Sequence, residues 1–374
     1  MSTEEWKGSN QMDGMNEIVG FFRGKRVFLT GHTGFKGAWL SELLLYTGAE
    51  VTGYALPAPS GGIFQALCLE ERMTSVMGDV RDLERLERAF RTCGPEIVFH
   101  LAAQPLVRES YRDPAGTYST NVLGTVNLLE CVRSCEGVRS VLNVTTDKVY
   151  RNEERVQGYR EDETLDGYDP YANSKSCSEL VTWTYVRSFL AERGVAVSTA
   201  RAGNVIGGGD MAADRILPDC IRAARRGEAI FVRNPHSVRP YQHVLEPLNA
   251  YLRIAKEQYA APSLAGAYNV GPSVEDCLTT GALADLFCRC WGDGSRWTAA
   301  PDGGPHEAAR LTLDCAKIAE TLGWAPRWGA ETAVKKTVEW TKAVLSGQGA
   351  VDVTRRQIQD YFGASPAPQE QCDG

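Results

Sequence analysis

The chain has 374 residues, of which 43% are hydrophobic and 23% are charged, and its formal net charge at pH 7 is −7. This balance is ordinary for a soluble enzyme with ample core, organised as one large or two ordinary domains, and it argues against a nucleic-acid-binding surface. No stretch has the apolar length of a membrane span, and the first 23 residues lack the apolar core of a signal peptide. The 11 cysteines form no zinc-like set, so we expect reduced thiols, no metal and a cytoplasmic location.

The first predicted elements form a strand–helix–strand unit around a glycine-rich loop. Residues 25–30 (K-R-V-F-L-T) have a strand pattern, and the loop G-H-T-G-F-K-G follows at residues 31–37. An amphipathic helix then extends to about Gly48, and residues 51–55 predict the second strand. Such glycines allow a tight turn, so that backbone amides and the helix N-terminus can approach a pyrophosphate. The unit therefore predicts a dinucleotide site, with the spacing G-x-x-G-x-x-G instead of the commoner G-x-G-x-x-G.

Strand and helix patterns continue to alternate as far as about residue 200. Further strands are predicted at residues 74–80, 96–101, 140–144 and 195–201, and further helices at residues 83–92, 120–134 and 171–193. Strands that alternate with helices in this way are typical of parallel sheets covered by helices. We therefore predict an α/β fold with a Rossmann-type, doubly wound parallel sheet.

Three polar residues, Thr146, Asp147 and Lys148, follow closely after the buried strand predicted at residues 140–144. In open α/β sheets ligands bind outside the carboxyl ends of the strands, which is where these side chains would lie. A threonine hydroxyl can hold a substrate hydroxyl, and a carboxylic acid and an amine can act as general acid and base. The alternative is that Asp147 and Lys148 form an exposed salt bridge in a loop.

A second pair of candidate catalytic residues is Tyr171 and Lys175. They are four residues apart at the start of a predicted helix, so their side chains project from one face. A lysine ammonium one turn from a tyrosine lowers the pKa of the phenol, which makes the phenolate a usable base near neutral pH. Taken alone, Tyr-x-x-x-Lys is more often a surface pair, but the dinucleotide loop upstream favours the catalytic interpretation.

The pattern changes after the strand predicted at residues 195–201, with more Gly, Pro and Arg and with shorter elements. Helices are predicted at residues 216–226 and 247–258, and short strands at residues 230–232 and 267–270. The predicted division starts with an N-terminal extension at residues 1–23 and a dinucleotide-binding domain at residues 24–202. A mainly substrate-binding region follows at residues 203–345, and it can return strands to the sheet. The chain ends in a polar tail at residues 346–374, which is predicted to be disordered from residue 365.

Several motifs together resemble the extended short-chain dehydrogenase/reductase superfamily. They are the glycine loop, H-L-A-A from His100, T-N-V from Thr120 and Y-x-x-x-K from Tyr171. Within that superfamily, further runs resemble the CDP-glucose 4,6-dehydratases: A-A-Q-P-L-V-R from residue 102, T-D-K from 146, G-Y-D-P-Y from 167, R-A-G-N-V-I-G-G-G-D from 201, Q-H-V-L-E-P-L from 242 and H-E-A from 306. The resemblance covers about residues 22–345, and it implies an enzyme of deoxysugar biosynthesis with NAD as its cofactor.

The resemblance also implies which residues contact the cofactor and the substrate. The expected cofactor contacts are Gly31, Thr33, Gly34, Phe35, Lys36, Gly37, Asp79, Val80, Leu101, Ala102, Ala103, Tyr171 and Lys175. The expected substrate contacts are Gln104, Arg108, Asn121, Asn204, Arg215, Arg239 and His243. Amide and guanidinium groups are suitable donors to a nucleotide diphosphate, and a CDP-hexose is the expected substrate. We expect no nucleic-acid or membrane partner, and a homodimer or homotetramer, because helices such as residues 171–193 commonly form a dimer interface in this superfamily.

In the enzymes that the chain resembles, the tyrosine phenolate takes the proton of the sugar's 4-hydroxyl while hydride passes from carbon 4 to NAD. The ketone acidifies the proton on carbon 5, water leaves from carbon 6, and the hydride returns there. Asp147 would be the acid and Lys148 the base of this elimination, whereas epimerases usually carry small neutral residues at these positions. A nucleotide-sugar epimerase or decarboxylase remains an alternative, as does a non-enzymatic dinucleotide sensor, in which the Tyr/Lys pair is typically missing.

The chain also departs from the family pattern. Tryptophans expected around the cleft are replaced by Arg155, Gln157, Met211 and Tyr241, so the preference for sugar or base can differ. The second strand ends without an acidic residue for the ribose, so the choice of NAD over NADP rests on the resemblance.

Two residues inside the glycine loop bear on cofactor binding. An imidazole at His32 is expected to crowd or tilt the dinucleotide, and Lys36 is expected to add a cation near the phosphates or else to point to solvent. We therefore predict partly NAD-free protein whose activity rises with added NAD, and tighter NAD binding after His32→Gly.

Overall fold

The structure, a computed structural model, describes residues 17–299 and 308–363. Its strands are β1 (Arg26–Thr30), β2 (Glu50–Ala55), β3 (Thr74–Met77), β4 (Ile97–His100), β5 (Ser140–Val144), β6 (Ala196–Ala202), β7 (Val205–Ile206), β8 (Ile230–Val232), β9 (Val238–Arg239), β10 (Gln242–His243), β11 (Ala267–Val270), β12 (Leu278–Thr279) and β13 (Trp297–Ala299). Its α-helices are α1 (Phe35–Tyr46), α2 (Ile63–Ala66), α3 (Leu83–Cys93), α4 (Val107–Arg112), α5 (Pro114–Tyr118), α6 (Gly124–Ser134), α7 (Pro170–Tyr185), α8 (Ile216–Arg226), α9 (Leu245–Ala260), α10 (Thr280–Trp291), α11 (Ala316–Leu322), α12 (Ala330–Leu345) and α13 (Ala350–Phe362).

Seven strands form one parallel sheet in the order β11-β6-β5-β4-β1-β2-β3. The order reverses between β1 and β4, and doubly wound sheets bind their ligands outside the carboxyl ends of the strands at such a point. β11, from the second half of the chain, extends the sheet by pairing in parallel with β6. The arrangement confirms the predicted Rossmann-type α/β fold.

The residues of β1 show how the sheet is covered on both faces. Val27 and Leu29 face one core, which they share with α1 and α9, while Phe28 between them faces a second core with α3 and α6. Successive side chains of a strand point to opposite faces, so a strand covered on both faces is apolar throughout. The continuous apolar run is therefore what made this strand predictable.

Two predicted helices differ from the structure in their form. The helix predicted at residues 120–134 begins with a π-helical turn, Ser119–Leu123, and the helix predicted at residues 171–193 is α-helical only as far as Tyr185. A second π-helical turn, Val186–Leu190, follows it. A π-helical turn inserts one extra residue, which the 3.6-residue pattern used for the prediction does not register.

The tail predicted to begin at residue 346 contains helix α13, so that prediction is wrong for these residues. Ile358 and Phe362 are buried in the core that also contains α1, and the Arg355 guanidinium donates to the buried Glu42 carboxylate at 2.7 Å. The polar residues of this segment occupy the outer face of an amphipathic helix, which explains why composition alone suggested a tail. The predicted disorder at residues 365–374, most of the N-terminal extension and the His306-Glu307 motif lie outside the described residues.

The remaining strands of the second half form β7–β10, β8–β13 and β9–β12 pairs. A third core cluster holds this part together, and it includes Leu217 of α8, Phe287 of α10 and Val334 of α12. The proposed boundary between a cofactor domain and a substrate region remains a prediction. Over the part of the chain that the structure describes, every helix is too short or too polar to traverse a lipid bilayer.

Candidate active site

The glycine loop between β1 and α1 leaves no room for larger residues at two positions. Gly31 has a φ of +79°, and a Cβ there would lie 2.7 Å from the backbone nitrogen of Ala102. A Cβ on Gly37 would lie 2.0 Å from the carbonyl oxygen of Gly31. The exposed Gly34 directly precedes α1, so backbone amides and a helix N-terminus are accessible together, as a dinucleotide pyrophosphate requires. The loop therefore fits the group that the sequence predicted there.

His32, in the same loop, has its ring enclosed by protein. Its Nε2 shares a hydrogen bond of 2.7 Å with the Ser75 hydroxyl, and the ring packs edge-to-face on Phe64. A Cβ on Gly53 would lie only 2.3 Å from the imidazole. Burial lowers the pKa of His32 to about 4, so the ring is neutral at physiological pH. The expectation that it crowds the cofactor stays a prediction, which an NAD titration of His32→Gly tests.

Lys36 points inward, so the expectation that it faces solvent is wrong. Its side chain lines a cavity with Asp147 and Tyr171, and its Nζ lies 5.9 Å from the ring centroid of Tyr251. Burial, followed by the positive charge of Arg215, lowers the pKa of Lys36 to about 8. The ammonium therefore belongs to the candidate catalytic end of the site.

The other expected cofactor contacts lie at the ends of neighbouring strands. Asp79 and Val80 follow β3, where the Asp79 carboxylate accepts a 2.6 Å bond from Arg81 and the Val80 side chain is buried. Residues 101–103 follow β4 and are partly exposed. Their positions along one sheet edge agree with an extended dinucleotide, and the individual contacts remain predictions.

The loop after β5 holds Asp147 in a buried position. Asp147 is 1% exposed, and its Oδ1 accepts a 2.9 Å hydrogen bond from the Thr146 hydroxyl. Its Oδ2 has no hydrogen-bond partner among the described residues. A Cβ on Gly203 would lie 2.0 Å from Oδ2, so the glycine makes the space that this oxygen occupies. The burial of Asp147 rules out the alternative of an exposed salt bridge with Lys148.

Tyr171 and Lys175 lie in the first turns of α7, which starts where the sequence sets it. The Asp169 carboxylate caps the helix by accepting from the Ala172 amide at 2.8 Å, and Pro170 occupies its first position. The Lys175 ammonium donates to the Val144 carbonyl at 3.0 Å. The helix and the strand end are thus joined at Lys175.

The sequence predicted that Lys175 lowers the pKa of the Tyr171 phenol, but in the structure that pKa is raised. Burial raises the pKa of Tyr171 to about 12, and a hydrogen bond with Thr146 offsets only part of this. Burial, followed by the nearby charge of Lys36, lowers the pKa of Lys175 to about 7. Desolvation is the largest cause of both shifts.

A cavity of about 320 Å³ brings most of the candidate catalytic and substrate residues together. One wall carries Thr146, Asp147, Lys148 and Tyr171, with Lys36 beside them. Another part of the lining, the arginine wall, carries the predicted substrate contacts Arg108, Asn204, Arg215 and Arg239. The cavity thus combines an acid, two amines and a phenol with guanidinium groups, which suits a substrate with a hydroxyl-rich end and an anionic end.

Three predicted substrate contacts lie outside this lining. Asn121 is buried, where its Oδ1 accepts from the Gln104 amide at 2.8 Å and its Nδ2 donates to the Ser174 hydroxyl at 2.8 Å. The Gln104 side chain turns back to donate to Thr117 at 2.9 Å. These two residues support the cavity from behind, because their polar groups bind each other and the backbone.

His243 was predicted to contact the substrate, but it lies in the core. Its ring packs edge-to-face against Trp39 and Trp328 at centroid distances of 5.8 and 5.0 Å. Burial lowers its pKa below the ordinary value to about 3. It therefore has no access to a sugar nucleotide, and the Q-H-V motif owes its position to packing.

The sequence interpretation missed several charged residues of the cavity, among them Asp210, Asp214 and Arg233. Asp210 pairs with Arg215 at 3.1 Å, and Asp214 pairs with Arg233 at 2.7 Å. All four line the cavity. Their signal was weak, since Asp and Arg in loops are commonly solvated, and the pairing depends on a fold that the sequence does not display.

The four positions where tryptophans were expected do not share one cleft. Tyr241 is buried and lines the 320 Å³ cavity, whereas Met211 is largely exposed. Arg155 and Gln157 line a separate cleft of about 760 Å³. The expectation that all four surround the substrate is therefore wrong for three of them. Over the described residues, no three His, Cys, Asp or Glu side chains are grouped as metal ligands.

Comparison with known proteins places the chain among nucleotide-sugar enzymes. The family model described as GDP-mannose 4,6 dehydratase matches residues 28–337. CDP-glucose 4,6-dehydratase of Salmonella typhimurium is 47% identical over 352 residues, which cover 92% of this chain and 98% of that protein.

Solved structures agree with this placement. The dTDP-glucose 4,6-dehydratase DesIV of Streptomyces venezuelae, a double mutant with NAD bound, is 25% identical with a TM-score of 0.72, covering 87% of this chain and 99% of that one. UDP-glucose 4-epimerase of Thermus thermophilus, in complex with NAD, is 27% identical with a TM-score of 0.71, covering 84% and 97%. The resemblance inferred from the motifs is confirmed, and the chain belongs to the GDP-mannose 4,6 dehydratase family.

Proposed function

We propose that the protein is an NAD-dependent nucleotide-sugar 4,6-dehydratase that acts on CDP-glucose. The observation that carries this function is the common cavity of Tyr171, Asp147 and Lys148. Epimerisation needs the oxidation machinery alone, whereas loss of water also needs an acid and a base, which Asp147 and Lys148 supply. The 47% identity to a CDP-glucose 4,6-dehydratase supports the choice of substrate.

The oxidation half of the reaction uses the residues at the start of α7. Tyr171 takes the proton of the sugar's 4-hydroxyl, and the Thr146 hydroxyl, which lies against both Tyr171 and Asp147, holds that hydroxyl in place. Bound NAD supplies the acceptor for the hydride of carbon 4 and later the hydride for carbon 6. Tyr171 acts as its phenolate and becomes the neutral phenol as it takes this proton, and Lys175, held by the Val144 carbonyl, provides the positive charge that stabilises the phenolate beforehand.

The elimination half uses the loop after β5. The ketone at carbon 4 makes the proton on carbon 5 acidic, and Lys148 removes it. Asp147 gives a proton to the departing 6-hydroxyl, which leaves as water. A proton then returns to carbon 5, so the overall change is the loss of one water.

The arginine wall of the cavity holds the nucleotide diphosphate. Arg108, Arg215 and Arg239 offer planar guanidinium donors, and the Asn204 amide lies beside them. Asn204 has a φ of +49°, a conformation that asparagine adopts more readily than most residues. This wall determines where the sugar lies relative to Tyr171.

We also propose that the protein forms a homodimer or homotetramer in the cytoplasm. Leu180 and Phe189, on α7 and the turn after it, are exposed, and so is Leu123 at the start of the neighbouring helix. Apolar side chains of this size on adjacent helices are typical of an interface between subunits. Sedimentation of wild type and Leu180→Glu tests it, since only the wild type should associate. The unpaired state of all ten described cysteines is consistent with a reducing compartment.

The experiment that tests the function uses a panel of nucleotide-glucose donors with added NAD and identifies the products by mass. We expect a 4-keto-6-deoxy product from CDP-glucose, and its absence from every donor would refute the proposal. In Asp147→Asn, water loss should slow by about a hundredfold while oxidation at carbon 4 slows less. Reduced cofactor and 4-keto-hexose should therefore accumulate; equal slowing of both steps would make Asp147 structural.

A further inference from the structure

A buried ion pair lies behind the catalytic loop, between Glu179 and Arg201. Glu179, one helical turn after Lys175 on α7, is 0% exposed, and Arg201 on β6 is 2% exposed. The Glu179 carboxylate accepts two bonds from the guanidinium, at 2.8 and 2.5 Å. It also accepts from the hydroxyls of Thr145 at 2.6 Å and Thr199 at 3.1 Å. Both carboxylate oxygens are thus fully used.

The other side of the guanidinium reaches the far end of the same loop. The Arg201 Nη1 donates to the Tyr150 hydroxyl at 2.7 Å and to the Glu161 carbonyl at 3.0 Å. The Tyr150 hydroxyl in turn donates to the Asn269 side chain on β11 at 2.6 Å. Thr145 and Tyr150 stand on either side of residues 146–148. One ion pair therefore holds both ends of the segment that carries the elimination residues.

Stability alone does not account for such a pair. Removing two charges from water is costly, and replacing a buried ion pair by packed apolar residues commonly leaves a protein as stable or more so. The pair also joins three segments of the active site. They are the loop with Asp147 and Lys148, the helix with Tyr171 and Lys175, and the strand that leads to Gly203.

The two catalytic segments depend on the pair to different degrees. Helix α7 is also fixed by its Asp169 cap and by the Lys175 bond to Val144. The loop is a single short turn, Asp147–Val149, whose flanking hydroxyls both end on the ion pair, and the Val149 carbonyl also accepts from the Ser176 hydroxyl and the Asp166 amide. Loosening these bonds should move the loop more than the helix.

We propose that Glu179 and Arg201 are positioning residues, which act through Thr145 and Tyr150 to hold Asp147 and Lys148 in register with Tyr171 and Lys175. The inference rests on the proposed dehydratase function. It predicts that losing the hydrogen bonds of the pair slows the loss of water more than it slows oxidation at carbon 4.

The variant Tyr150→Phe tests this with a minimal change. The ring remains, stacked on Tyr159 at 5.3 Å and covered by the Arg201 guanidinium at 4.9 Å, and only the hydroxyl is removed. We expect water loss to slow about tenfold relative to oxidation at carbon 4, the scale of one well-placed hydrogen bond. Stopped-flow absorbance of the reduced nicotinamide and quenched product analysis measure the two steps separately.

Tyr268→Phe is the matched control. Tyr268 is equally buried, and its hydroxyl donates to the Leu264 carbonyl, away from the loop. This variant should leave the ratio of the two rates within about twofold of wild type. Thr145→Val removes the bond at the other end of the loop, and it should shift the ratio in the same direction as Tyr150→Phe.

The outcomes separate this inference from the proposed function. If wild type forms no 4-keto-6-deoxy product, both are overturned. If wild type forms the product but Tyr150→Phe and Thr145→Val slow both steps equally, or behave as Tyr268→Phe does, the ion pair is structural and only the positioning role falls. A shifted ratio in both loop variants, with unchanged thermal unfolding relative to the control, supports the role.

Discussion

The two walls of the cavity are built on different principles. On the catalytic wall, Asp147 and Lys175 are buried, and the elements that carry them are joined by the equally buried Glu179 and Arg201. On the arginine wall, Arg215 keeps about a third of its side chain exposed and pairs with Asp210, while Arg239 is buried and donates to two backbone carbonyls. Proton transfer needs atoms held within a fraction of an ångström, whereas a diphosphate offers several oxygens to a guanidinium. Changes on the first wall should therefore appear in stability and turnover, and changes on the second in KM.

The largest effect is expected from removing one charge of the buried ion pair between Glu179 and Arg201. Glu179→Gln leaves the Arg201 guanidinium buried without a counter-charge, so we expect the free energy of unfolding to fall by about 3–5 kcal/mol. Chemical denaturation followed by circular dichroism measures it. Glu84→Gln is the control, because Glu84 and Arg88 form an ion pair at 3.8 Å that is almost fully exposed. An exposed pair contributes about 0–1 kcal/mol.

A double variant separates the effect of the pair on stability from its effect on the loss of water. Glu179→Leu combined with Arg201→Met removes both charges, and it should recover most of the stability while leaving water loss slow. If the double variant is as unstable as Glu179→Gln, the bonds of the pair stabilise the fold directly. The ion pair would then be a stabilising element of the fold and not mainly a positioning one.

Tyr171→Phe should give the next largest effect, and it should appear in turnover alone. In the proposed mechanism Tyr171 takes the first proton, so we expect kcat to fall by about a hundredfold or more, with little change in thermal unfolding. Tyr268→Phe serves again as the buried control, with activity close to that of wild type. Near-normal turnover of a folded Tyr171→Phe protein would remove this residue from the catalytic role.

On the arginine wall, Arg239→Lys should raise KM by about tenfold and leave kcat within about twofold, because a lysine cannot make the paired bonds of a guanidinium to phosphate. Steady-state kinetics at saturating NAD measure both constants. Arg226→Lys, on the exposed end of α8, is the control for exchanging an arginine for a lysine elsewhere on the protein. A fall in kcat with unchanged KM would place Arg239 on the catalytic side of the comparison.

The catalytic wall was largely predictable from the sequence, and the reason is local. Apolar runs located the strands, the glycine spacing located the loop before α1, and Thr146 to Lys148 and Tyr171 to Lys175 lie close to such elements. Most of the second half was not predictable in this way. Strands such as β9 and β12 have two residues each, too few for any periodicity. Their pairing depends on neighbours that are distant in the chain.

His243 and Lys36 show the same limit for single residues. His243 was expected in the site because the resemblance implied a substrate contact there, but Trp39 and Trp328 close around it. Lys36 was expected to add a cation near the phosphates or else to point to solvent, and only the second is excluded, because the side chain enters the cavity. In both cases the direction of one side chain decides the outcome. That direction follows from packing which the local pattern does not contain.

The smallest expected effect concerns His243, which lies in the core behind both walls. Burial lowers its pKa from 6.5 to about 3, so between these pH values the unfolded chain binds a proton that the folded protein does not. Stability therefore falls as the pH drops below 6.5, by about 1.4 kcal/mol per pH unit for this one group.

His243→Asn should remove that contribution, and it can keep an acceptor for the Leu245 amide, which donates to the His243 Nδ1 at 3.3 Å. Denaturation at a series of pH values from 7 to 5 should give the variant a shallower loss of stability than wild type, by about one proton. Glu246 lies beside it with its pKa raised by burial to about 7, which acts in the opposite direction. Because Glu246 is present in both proteins, its contribution cancels in the difference. Equal slopes for the two proteins would mean that His243 is protonated in the folded state, and the core between Trp39 and Trp328 would then hold a charge.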